Sequence, residues 1–142
     1  MEVKVEIKAA NLTGVIEHKR RQLQAARTSE LQKIGEEEVR LTQERIRSSK
    51  TGPDGKPWAP WSMATLKQRH RAGDASKGLL YRTGALLTSI KFKVEDGKLT
   101  VYSDSTYGKY LQFGTPKMPA RPFIGFGARI NSIVERLTKV FK

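Results

Sequence analysis

Cysteine is absent from the 142 residues, which excludes a disulfide framework and any thiolate metal site. Histidine is nearly absent. His18 and His70 stand far apart in sequence, each in an arginine-rich context, so neither a catalytic nor a metal-binding imidazole pair is expected. No cofactor is expected either. Long apolar runs are missing: Met1 to Lys8 alternates apolar with charged side chains. A signal peptide needs an unbroken apolar stretch and a membrane helix a longer one. The expectation is a chain with no membrane partner, soluble where it is made. Catalytic signatures are missing as well. There is no Gly-x-Ser-x-Gly, no His-Glu-x-x-His and no glycine-rich phosphate loop followed by Lys-Ser or Lys-Thr. Gly125-Phe126-Gly127 opens a helix but follows no strand of a βαβ unit, which argues against a dinucleotide site. Asp54, Asp74, Asp96 and Asp104 all lie near turns or loop ends, where carboxylates usually cap backbone rather than move protons. No enzymatic activity is expected.

Acid is in short supply. The chain has 27 Lys and Arg against 14 Asp and Glu, a formal net charge of +13. The excess is uneven: residues 105 to 142 hold seven basic residues against one acid, Glu135, while residues 1 to 50 hold eleven against eight. Such a field favours an anionic partner, either DNA or an acidic protein surface, and charge alone does not choose between them. With 37% apolar and 29% charged residues, residues 1–142 read as one globular domain with a modest core.

What is present is a run of short periodic segments. Val3, Val5 and Ile7 alternate with charges and predict a strand. Asn11 is a candidate cap for a helix whose face carries Leu12, Val15, Ile16, Lys19, Leu23 and Ala26. Thr28 or Ser29 reads as a second cap, followed by a helix with Leu31, Ile34, Glu38, Thr42 and Ile46 on one side. Its acidic triplet, Glu36-Glu37-Glu38, reads as a solvated face. Gly52-Pro53-Asp54-Gly55 is turn chemistry. Ser62 caps a short helix through Thr65, Leu66 and Arg69. Residues 72 to 78 read as a mobile loop, and a short helix is expected from about Thr83. Ile90, Phe92 and Val94, the turn pair Asp96-Gly97, then Leu99 and Val101 predict a hairpin. A helix through Tyr107, Tyr110 and Leu111 should end at Gly114, and Ile130, Ile133, Val134, Leu137 and Phe141 mark a closing helix. The class is α+β: two N-terminal helices and a C-terminal helix packed on a small antiparallel sheet.

Three segments carry more than periodicity. In the proline-braced loop Pro57-Trp58-Ala59-Pro60-Trp61, the tryptophans either cover the core or present rigid aromatic area to a partner. In Leu79 to Ile90, Thr83 can cap a helical turn whose leucines enter the core. From Tyr107 to Ile124, Gly114 can end a helix with positive φ. Prolines 116, 119 and 122 then hold Arg121 and Phe123 extended, to add to a neighbour's sheet or groove or to form the last strand of the chain's own sheet.

In this order and spacing, these segments resemble the phage virion morphogenesis and tail completion family. A proline–tryptophan loop, an Arg-Thr-Gly-x-Leu turn (here Arg82 to Leu86), a Tyr-x-x-Tyr-x-x-Phe-Gly-Thr helix (Tyr107 to Thr115) and a Pro-Ala-Arg-Pro-Phe segment (Pro119 to Phe123) recur there. The resemblance runs from about Gly52 to Gly125, and the wording from Phe113 to Phe123 is similar to the head–tail joining branch. It implies a structural, non-enzymatic virion protein at the tail–head neck, assembled in the host cytoplasm, that completes the tail as a hexameric ring. Implied partners are further copies of itself, the tail tube or terminator protein, head connector proteins and the DNA passing through. A tail terminator or head-side connector is the nearest alternative. A stand-alone DNA-binding protein is the alternative of another class, although no helix-turn-helix, zinc or aromatic RNA-binding motif is present. The candidate interface residues are Trp58 and Trp61, Arg82, Tyr110 and Phe113, and Lys117, Arg121 and Phe123.

Overall fold

A computed structural model describes residues 9 to 139, with side chains from residue 14 onward. The strand expected over Val3 to Ile7 and the end of the closing helix at Phe141 lie outside the described residues.

Helix α1, Ala9–Glu44, is one uninterrupted element of 36 residues. The break expected at Thr28 and Ser29 does not occur, and Asn11 lies inside the helix instead of capping it. Thr28 and Ser29 are both exposed within the helix. Hydroxyl side chains favour caps but do not stop a helix; a stop needs proline or a left-handed residue, and neither stands nearby. The stop comes at Lys50, with φ +54°, after a π turn over Arg45–Ser49 that its backbone N–H closes onto the Arg45 carbonyl at 2.8 Å. The Lys50 ammonium anchors this corner. It donates to the carbonyls of Ile46, Lys77 (3.0 Å) and Leu79 (2.9 Å), and burial pushes its pKa down.

The expected stripe is real: Leu31, Ile34, Glu38, Thr42 and Ile46 are all buried. It packs across a two-stranded antiparallel hairpin, β1 (Ile90–Glu95) and β2 (Lys98–Ser103). Phe92 faces Val101 and Val94 faces Leu99 across the ladder. Asp96 and Gly97 make the two-residue turn with φ of +51° and +71°, the pairing that matches strand twist. Helix and hairpin meet closely at Gly35, where a Cβ would sit 2.3 Å from the Phe92 ring.

The acidic triplet is not a solvated face. Only Glu36 is exposed, and Glu38 is buried. The closing helix α5 (Ile130–Lys139) packs against α1, and its Ile133 is buried. Arg136 donates to Glu30 at 2.8 Å and to Glu37 at 2.7 Å. Arg129, in the 3-10 turn before α5, pairs with Glu37 at 3.1 Å and with Glu38. The main core gathers at the C-terminal end of α1, around Ile46, Trp58, Leu86, Leu87, Ile90 and Phe123. The α+β class holds, with the helical N-terminus as one long rod.

Candidate interaction site

Three short helices and two loops frame the other end of the core. Helix α2, Met63–Ala72, starts at Ser62, whose hydroxyl accepts from the Thr65 N–H at 3.2 Å. Helix α3, Ala85–Thr88, follows Gly84 at φ +84°, and the Thr83 hydroxyl accepts from the Ala85 N–H at 3.3 Å. Helix α4, Gly108–Phe113, ends at Gly114 with φ +76°, as its glycine foretold. A side chain at Gly114 would meet the Ala120 backbone at 2.7 Å, so glycine is required there by space as well as by φ.

The Pro119 to Ile124 segment joins no sheet. It is zipped between α4 and the tryptophan loop. The Arg121 N–H donates to the Leu111 carbonyl at 2.7 Å. The Gln112 amide oxygen accepts from the N–H groups of Phe123 (3.0 Å) and Ile124 (3.1 Å), and its nitrogen donates to the Ile124 carbonyl at 3.0 Å. On the other side, Trp58 donates from Nε1 to the Pro122 carbonyl at 2.6 Å. Arg121 donates from Nε to Ala59 (2.7 Å) and from an Nη to Pro60 (2.9 Å).

The eight candidate interface residues therefore divide. Trp58, Arg121 and Phe123 are buried in their own chain and hold loop, extended segment and core together. Tyr110, Phe113, Lys117 and Arg82 are exposed, and Phe113 is 79% exposed. Trp61 is half-buried with the Arg69 guanidinium 5.1 Å over its ring.

Asp74 is a residue that sequence reasoning undervalued. Its carboxylate is buried, not a backbone cap. One oxygen accepts from Arg82 at 3.1 Å and is 3.4 Å from Arg69. Residues 72 to 78, expected as a mobile loop, are tied down by this pair, by a 3-10 turn at Ala75–Lys77 and by Lys50. The signal available was the spacing of one acid between Arg69 and Arg82 in a basic stretch. Asp54 does serve the backbone, accepting from the Lys56 N–H at 3.0 Å. Asp104 instead pairs with Lys91.

Between α2, the Leu79–Arg82 stretch and the Lys117–Arg121 stretch lies a cleft of about 790 Å³. Leu79, Leu80, Leu111 and Met118 form its apolar wall. Arg69, Arg82, Lys117 and Arg121 are its charged side chains, and no acidic side chain lines it among the described residues. The cleft thus combines four cationic side chains with an apolar wall.

The fold therefore presents a basic cleft and exposed aromatics on a scaffold built from the recurring motifs, and residues 8–141 match the model of the phage virion morphogenesis family. The chain belongs to that family, whose members are virion-associated proteins of phage morphogenesis. Among curated proteins it is similar to the Mu-like prophage FluMu G protein 1 of Haemophilus influenzae. The two are 31% identical over 103 residues, covering 69% of this chain and 70% of that one. No solved structure matches the chain. Among the described residues, no helix is long and apolar enough to cross a membrane.

Proposed function

We propose that this protein is a structural, non-catalytic component of the neck of a tailed phage, completing the tail and joining it to the head as a ring. The observation that carries the reading is the free half of α1. Every residue from Gly14 to Ala26 is exposed, including Val15, Ile16 and Leu23. A helix wet on every side has little to stabilise it beyond propensity, and its apolar residues call for a neighbour. A projecting rod that contacts the next copy, repeated head to tail, is a heterologous interface of the kind that closes into rings. Exposed Tyr110, Phe113 and Lys117 would then face the tail tube, the terminator or the head connector, and the basic surface would line the path of the DNA.

The test is a lysate of phage lacking this protein. DNA-filled heads and separate tails are expected, with infectivity restored by adding the purified chain. Infectious particles formed in its absence would remove the reading. Light scattering tests the ring: the native chain should be multimeric, and Ile16→Asp with Leu23→Asp should be monomeric with unchanged helix content.

A further inference from the structure

We infer that the cleft between α2 and the Lys117–Arg121 stretch is a docking groove for an extended acidic segment of a second, different protein. This deepens the neck reading by naming the chemistry of a partner, and rests on it only for the partner being a virion component.

Charge is the first argument. Four cations line the cleft and no carboxylate does, among the described residues. Asp74, just outside, is shared between Arg69 and Arg82. Lys117 has no ion-pair partner among the described residues. Arg121 is the most telling. Arg121 is 6% exposed as a residue, and its guanidinium donates to two neutral carbonyls, those of Ala59 and Pro60, with no carboxylate paired to it among the described residues. Burial pushes its pKa down. A charge removed from water costs a great deal unless it is both paired and hydrogen-bonded, and an incoming carboxylate at the mouth of the cleft supplies the pairing.

The wall decides what carries the carboxylate. Leu79, Leu80, Leu111 and Met118 are only partly buried, so the cleft takes apolar side chains beside the acidic ones, as an extended peptide presents them. Nucleic acid fits less well. Single strands bind by stacking successive bases on several open aromatic faces, whereas of the two aromatics that line the cleft Trp61 already carries Arg69 on its ring and Tyr107 is left as a single platform. Another copy of this chain is also a poor occupant. The projecting half of α1 bears Lys19, Arg20 and Arg21 against Glu17, and two acids of the triplet, Glu37 and Glu38, are engaged by Arg129 and Arg136.

The experiment uses the full chain and short fluorescent peptides alternating leucine with aspartate, beside a matched leucine–asparagine peptide and a single-stranded oligonucleotide. The aspartate peptide should bind at least about tenfold tighter than the asparagine peptide. Amide shifts on binding should cluster at Leu79–Arg82 and Thr115–Arg121. Lys117→Glu, on an exposed side chain, should leave the melting temperature unchanged and weaken the aspartate peptide by about tenfold or more. Equal affinity for both peptides, binding of neither, shifts elsewhere, or an oligonucleotide that displaces the peptide would each overturn the inference. If Lys117→Glu loses the peptide but still joins heads to tails, the groove stands and its part in joining falls. If joining fails while peptide affinity is native, the groove assignment falls and the neck reading stands.

Discussion

Trp58 and Pro122 lie 64 positions apart, and the indole Nε1 of the first donates to the carbonyl of the second at 2.6 Å. This bond fastens the proline–tryptophan loop to the Pro-Ala-Arg-Pro-Phe segment. The ring fills the core beside Phe123 and Ile46, so Trp58 is an architectural residue. Trp58→Ala should cost about 3–5 kcal/mol from the cavity it leaves. The melting temperature should fall on the order of 10 °C. Trp61→Ala, at the half-buried ring, should cost far less stability. Equal thermal losses for the two variants would contradict this division.

Gly35 offers a test in which helix propensity and packing disagree in sign. Glycine to alanine inside a helix is worth about 1 kcal/mol in favour of alanine. At Gly35, however, a Cβ would lie 2.3 Å from Phe92, and forced overpacking costs about 1–3 kcal/mol. Gly35→Ala should therefore destabilise in urea titration. Gly14→Ala, with nothing within 4 Å, should stabilise. Phe92→Leu in the Gly35→Ala background should recover part of the loss. Stabilisation by both alanines would mean that α1 does not press on the hairpin.

The strap of α5 onto α1 should respond to acid. The hydrogen bond from Arg136 holds the Glu37 carboxyl below its ordinary value, helped by the charge of Arg129 and opposed by burial. A carboxyl depressed in the folded state stabilises above its unfolded pKa, and that contribution is lost as pH falls through the lower folded value. Melting temperatures should therefore drop between about pH 5 and about pH 3. Arg136→Gln should lower stability at neutral pH and flatten this dependence. An Arg136→Gln profile parallel to the native one would show that the pair contributes nothing.

The positive charge makes its own prediction. A component that lets DNA slide past has no need to hold it. Duplex DNA should bind weakly and without sequence preference, and the binding should vanish near physiological salt as released counterions cease to drive it. Sequence-specific binding that survives such salt would favour the stand-alone DNA-binding alternative.

The sequence by itself determined the local elements, because each rests on neighbouring residues. Alternation around Asp96-Gly97 specifies the hairpin. Ser62 starts α2, and Gly114 ends α4. The spacing of Leu31, Ile34, Glu38, Thr42 and Ile46 marks the buried side of α1 and of the π turn that follows it. The ordered motifs also carried the family. Tertiary structure alone decided matters that depend on distant partners. Thr28 and Ser29 have cap chemistry, but the helix runs through them because nothing nearby can stop it. Glu37 and Glu38 look like solvent-facing acids until Arg129 and Arg136, about a hundred residues on, fold against them. Trp58 and Trp61 share one loop and nearly one composition of neighbours, yet one enters the core and the other borders the cleft. Arg121 is buried on carbonyls sixty-one and sixty-two positions away, and the cleft beside it exists only once α2, α4 and both loops meet. Local periodicity encodes helices and strands, whereas the pairing of charges and the closing of a cleft are set by long-range contacts that no window of sequence contains.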